Sequence, residues 1–115
     1  MARQNYHKLI RDRLPDLIVE AGGSCRVTTL APDDFVLALR AKLVEEAQEA
    51  ASAEIEHLLT ELADLQEVIK TLLHTHGWVE ADLAIEQHRR WEARGGFEQR
   101  LQLLWVEKSL PAARL

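Results

Sequence analysis

Residues 34–75 read DFVLALRAKLVEEAQEAASAEIEHLLTELADLQEVIKTLLHT, two helical patterns that each carry an acidic cluster. The first cluster is Glu45-Glu46-Ala47-Gln48-Glu49 and the second is Glu61-Leu62-Ala63-Asp64. On a helix, residues three or four apart share a face, so Glu46 points with Glu49 and Glu61 with Asp64. Between Asp34 and Ala51 the apolar residues Phe35, Val36, Leu39, Leu43, Ala47 and Ala50 make one stripe. At roughly 100° per residue, Glu46 falls about 20° from Leu39, near the middle of that stripe. Glu49 and Lys42 border the stripe, and Glu45 lies farther out. In the next segment Ile55, Leu58, Leu59, Leu62, Leu65, Ile69, Leu72 and Leu73 make the main stripe. Glu61 and Asp64 lie on its flank beside Val68, on the same edge as His57, while Glu67 reads as solvated. Four acids converging between two helices repel one another and are costly to bury unpaired. A hard divalent cation with oxygen ligands relieves that repulsion, so the pattern predicts a metal site.

Composition sets the class. The chain has 115 residues, which suits one domain, residues 1–115. Its 47% hydrophobic and 29% charged content is that of a globular protein. Gly and Pro are scarce, which favours helix. The formal net charge of -5 argues against a protein that coats nucleic acid. Cys25 is the single cysteine, so no internal disulfide is available. No apolar run approaches the ~20 residues of a membrane span, and MARQNYHKLIRDRL lacks a signal-peptide core. A cytoplasmic protein without membrane contact is expected.

The rest of the chain frames these two helices. Residues 1–14 are basic, with Lys8, Arg11 and Arg13 around Leu9, Ile10 and Leu14. Pro15–Ala21 reads as a short helix stopped by Gly22-Gly23. Cys25–Leu30 carries β-branched residues and suggests a short strand. Pro32-Asp33-Asp34 starts the first long helix, and a break near Ser52 leads into a helix from Glu54 to Thr75. Another helix runs from Trp78 or Val79 to Ala93, before Gly95-Gly96. Residues 97–107 read as either a strand or a last helical turn, and the strand reading would give a minor β-pair of residues 25–30 with 101–106. The expected fold is an all-α bundle of about four helices. The wide apolar arc of the second long helix calls for more than one neighbour. Self-association into a homodimer or homotetramer is favoured over a monomeric bundle closed by the helix after Gly77.

The motifs together resemble a known family. Glu45-Glu46-x-x-Glu49 followed by Glu61-x-x-Asp64 looks like the MazG-type all-α nucleoside triphosphate pyrophosphohydrolases. The opening Tyr6-His7-Lys8-Leu9-Ile10-Arg11-Asp12-Arg13-Leu14-Pro15 is similar to the N-terminal signature of their small house-cleaning branch. That branch also carries a basic residue shortly before Arg-Gly-Gly-Phe, matched by Arg90 and Arg94-Gly95-Gly96-Phe97. The resemblance covers roughly residues 6 to 107. It implies hydrolysis of nucleoside triphosphates, including non-standard ones, to the monophosphate and pyrophosphate. It also implies Mg²⁺, with Mn²⁺ as an alternative, and an oligomer built on a helical bundle. Carried over by position, Glu46, Glu49, Glu61 and Asp64 match the metal ligands, and Glu45 matches the leading acid. Arg90 departs from the branch, where a Lys is common, and replaces a point donor by a planar fork.

The implied chemistry suits the residues. Phosphoryl transfer depends mainly on positioning and on stabilising negative charge, which metal and basic side chains supply. A water attacking the α-phosphorus, with Glu45 or Glu49 taking its proton, is the expected route. Lys8, Arg11, Lys42, Arg90 and Arg94 are candidates to hold phosphates. His74 and His76, two apart, do not share a helical face. His57 reads as satisfied or exposed, and Trp78, Trp91 and Trp105 as packing rings. Gly95-Gly96 reads equally as a helix stop or a phosphate cradle. No Walker-type Gly-rich loop with Lys is present. The acidic motif alone is shared with phosphoribosyl-ATP pyrophosphohydrolases, so that activity is the nearest alternative. A helical interaction module without catalysis, and a diphosphate-containing nucleotide as substrate, are the others.

Overall fold

A computed structural model describes residues 2–108. Four helices follow in order: α1 Leu14–Glu20, α2 Pro32–Ser52, α3 Ile55–Thr75 and α4 Glu80–Arg94. The all-α architecture expected from the sequence is present. No strand forms among the described residues, so neither residues 25–30 nor residues 101–106 enter a ladder. β-branched composition favours extended backbone but creates no strand without a paired edge, and these segments remain irregular. None of the helices is long and apolar enough to cross a membrane.

The stops are local and legible. At α1, Gly22 adopts φ 88° while Gly23 N–H reaches Ile18 C=O at 2.9 Å and Gly22 N–H reaches Val19 C=O at 3.0 Å. At α3, Gly77 adopts φ 84°, Trp78 N–H reaches Leu73 C=O at 3.0 Å and Gly77 N–H reaches His74 C=O at 3.1 Å. Both are Schellman endings, which need the left-handed residue that Gly supplies without a Cβ penalty. Pro32 opens α2 at a position whose N–H has no helical partner to lose. Asp82 Oδ2 accepts from Val79 N–H at 2.9 Å, the return half of a capping box that sets the start of α4.

The chain divides between Leu83 and Ala84 into two units. In the first, α2 and α3 pack on each other. Ala53 and Glu54, both extended, are the whole connection between them, which makes an antiparallel helical hairpin. Among the described residues its buried apolar side chains are Leu39 and Val68. Phe35, Leu43, Leu58, Leu65, Ile69 and Leu72 are half-buried around them. Ile55, Leu59 and Leu62, on one line of α3, are 78%, 80% and 46% exposed. The main stripe read from the sequence is therefore split, because a single partner helix covers only one side of it. In the second unit α4 ends at Arg94 before Gly95 (φ 78°), and residues 101–106 run without helix or strand.

Candidate metal centre

The hairpin brings the two acidic motifs to one height. Glu46 lies six residues before the end of α2, and Glu61 lies six residues into α3. A two-residue connection sets such positions side by side. Glu46, Glu61 and Asp64 each offer an oxygen to one cluster, and those oxygens lie within 4.8 Å of one another. The sequence reading placed Glu61 and Asp64 on the flank of α3. In the structure that flank faces the hairpin contact, since Val68, on the same line, is buried.

Glu46 is the decisive member. It is 7% exposed, as buried as the surrounding core, and its Oε2 has no hydrogen-bond partner. Glu61 Oε2 is likewise buried without a partner. Buried polar atoms are almost always satisfied, so an orphaned oxygen on each of two glutamates of one carboxylate cluster fits a cation. Burial pushes the Glu46 carboxyl above the ordinary glutamate range. A hydrogen bond from Lys42 opposes that shift and the neighbouring Glu49 reinforces it. Glu49 itself is exposed and lies outside the three-residue cluster. Of the four acids proposed as ligands, three meet and the fourth borders them.

Three of the five predicted phosphate-binding cations contact the two acidic motifs. Lys8 Nζ donates to Glu45 Oε1 at 2.8 Å, and Lys42 Nζ approaches Glu45 Oε2 and Glu46 Oε1 at 3.4 Å each. Arg11 Nη2 donates to Asp64 Oδ1 at 2.8 Å. The hydrogen bond from Lys8, ahead of the charge of Lys42, holds Glu45 below the ordinary glutamate range, and Glu45 in turn raises Lys8. Arg90 and Arg94 belong to the second unit, on α4. His57 is exposed, as expected from the sequence.

A groove of about 330 Å³ runs along the same hairpin, farther from its turn than the acids. Leu43, Ile69, Leu72 and Leu73 form its floor, with Arg40, His76 and Trp78 completing the lining. Arg40 carries no motif in the sequence, and Trp78 is expected there only as a packing ring. The packing of α2 on α3, with Trp78 in the turn that ends α3, brings them to one groove. No family model, curated protein or solved structure matches the chain.

Proposed function

We propose that the chain is a metal-dependent nucleoside triphosphate pyrophosphohydrolase that releases pyrophosphate and the nucleoside monophosphate. The observation that carries this reading is that Glu46 and Glu61, which form a three-carboxylate cluster with Asp64, each keep a buried Oε2 without a partner. Surface acids are common without function, but carboxylate oxygens that lose water and gain no partner are not. Glu46, Glu61 and Asp64 are the residues that would hold Mg²⁺ or Mn²⁺. Bound there, the ion supplies charge that polarises phosphate oxygens and makes water more acidic.

The chain's own side chains divide the remaining work. Both Glu45 oxygens are engaged by lysines, Oε1 by Lys8 and Oε2 by Lys42, which leaves Glu45 a weak base. Glu49, exposed at the edge of the cluster, is the better placed acceptor for a proton from the attacking water. Lys8, Arg11 and Lys42 ring the carboxylates and would turn toward a polyphosphate, for which ammonium and guanidinium groups are strong donors. The exposed line Ile55, Leu59 and Leu62 supports assembly into a dimer or tetramer, in which another copy would cover it.

Pyrophosphate release from a panel of ordinary and modified nucleoside triphosphates tests the activity, with Mg²⁺, with Mn²⁺ and with chelator. Metal-dependent release with a monophosphate product is expected. Turnover of phosphoribosyl-ATP alone would transfer the reading to that activity. No release from any of these by the folded protein would leave an interaction module.

A further inference from the structure

Lys8 and Arg11, from a segment outside the hairpin, place one cation on each acidic motif: Lys8 meets Glu45 of α2, and Arg11 meets Asp64 of α3. The second contact differs in kind. Asp64 belongs to the trio whose oxygens gather within 4.8 Å, whereas Glu45 stands outside it. The guanidinium therefore adds positive charge on Asp64 to that which Lys42 brings to Glu46. A divalent ion entering the trio alone meets that charge at close range and is repelled by it. A triphosphate arriving with the ion reverses the balance. Its oxygens suit the planar donor fork of Arg, and its negative charge outweighs that of one carboxylate.

We infer that Arg11 couples the two ligands, competing with a divalent ion that arrives alone and favouring one that arrives with a polyphosphate. Arg11 is thus a positioning residue that exchanges Asp64 for phosphate, and the site prefers the metal–nucleotide complex to its parts. This rests on the assignment of Glu46, Glu61 and Asp64 as metal ligands. It is distinct from a purely orienting role, in which a hydrogen bond to a ligating carboxylate strengthens metal binding. The two roles predict opposite signs for the same substitution.

The test is Mn²⁺ binding to the full chain, followed by the spin-resonance signal of free Mn²⁺, with and without a non-hydrolysable α,β-methylene nucleoside triphosphate. Arg11→Gln should bind Mn²⁺ alone about two- to fivefold more tightly than the unsubstituted protein, the range of an exposed ion pair. The gain in Mn²⁺ affinity on adding nucleotide should fall about tenfold in that variant, the scale of a charged hydrogen bond. Arg11→Lys should restore part of the gain, since the charge returns without the fork. Equal or weaker binding of Mn²⁺ alone by a helical Arg11→Gln protein, where the unsubstituted chain binds it, overturns the coupling role and leaves the metal centre standing. Failure of the unsubstituted chain to take up Mn²⁺ with or without nucleotide removes both.

Discussion

Glu46 follows Leu39 by two turns on α2, and these two are the buried side chains of that helix. A carboxylate thus occupies a core position one heptad from Leu39, the best-buried leucine among the described residues, 2% exposed. Lys42 lies 3.4 Å from one of its oxygens, and the other stays unpartnered. The arrangement costs stability in the absence of a ligand.

Glu46→Gln should therefore stabilise the metal-free protein near neutral pH while abolishing turnover. Removing the buried charge at constant shape is expected to add about 1 kcal/mol, the usual size of such gains at functional sites. Urea denaturation with chelator present measures it, alongside the pyrophosphate assay. A destabilised variant, or one with full activity, would remove Glu46 from the site.

Metal should stabilise the fold through the same residues. A ligand that binds only the native state adds about 2.7 kcal/mol at a hundredfold excess over its Kd. The melting temperature is expected to rise with Mn²⁺ or Mg²⁺, to return on chelation, and to lose this response in Asp64→Asn. A similar rise in both proteins would place the ion elsewhere.

The outer line of α3 makes a separate prediction. Leu59 is 80% exposed and lies between Ile55 and Leu62 on one face. Leu59→Glu should shift the protein to monomer in sedimentation velocity with its helix content retained, because a charge at the centre of an apolar interface is desolvated without a partner. An unchanged sedimentation coefficient would show that this face is not the contact between copies.

Acid sensitivity has a component at the end of α3. A backbone hydrogen bond at Glu80, and then the charge of His74, hold the Glu80 carboxyl below its ordinary value of 4.5. His74 Nε2 lies 2.7 Å from Glu80 Oε1. A depressed carboxyl stabilises the fold above its unfolded pKa, and that contribution fades as pH falls through the folded value. Glu80→Gln should flatten the decline in stability below about pH 4.5. The effect is small because the pair is solvated. Parallel urea midpoints for the two proteins from pH 3 to pH 6 would discard it.

The helices were legible from local signals. Pro32 and the break after Ser52 mark α2, and Gly77 marks the end of α3 within a residue of the expected place. The burial of Glu46 was also legible, since its angular position beside Leu39 follows from helical pitch alone. The strand suggested at Cys25–Leu30 was not real. Strand propensity describes one side of a pair, and no local pattern shows whether the second side exists.

Rotation about the α3 axis was the larger gap. Ile55, Leu59 and Leu62 belong to the most apolar line of α3, yet in the hairpin the Val68 line, with Glu61 and Asp64 beside it, faces α2. Periodicity determines which residues share a face, because pitch is a property of a single chain segment. It does not determine which of two apolar faces meets the neighbour, because that choice depends on how side chains from both helices interlock. The four helices, the stops at Gly22 and Gly77 and the shared face of Glu61 and Asp64 were thus settled by the amino-acid order. The meeting of Glu46 with Glu61 and Asp64, and the pairs Lys8–Glu45 and Arg11–Asp64, were decided only by packing, since they join residues whose separation in the chain carries no periodic signal.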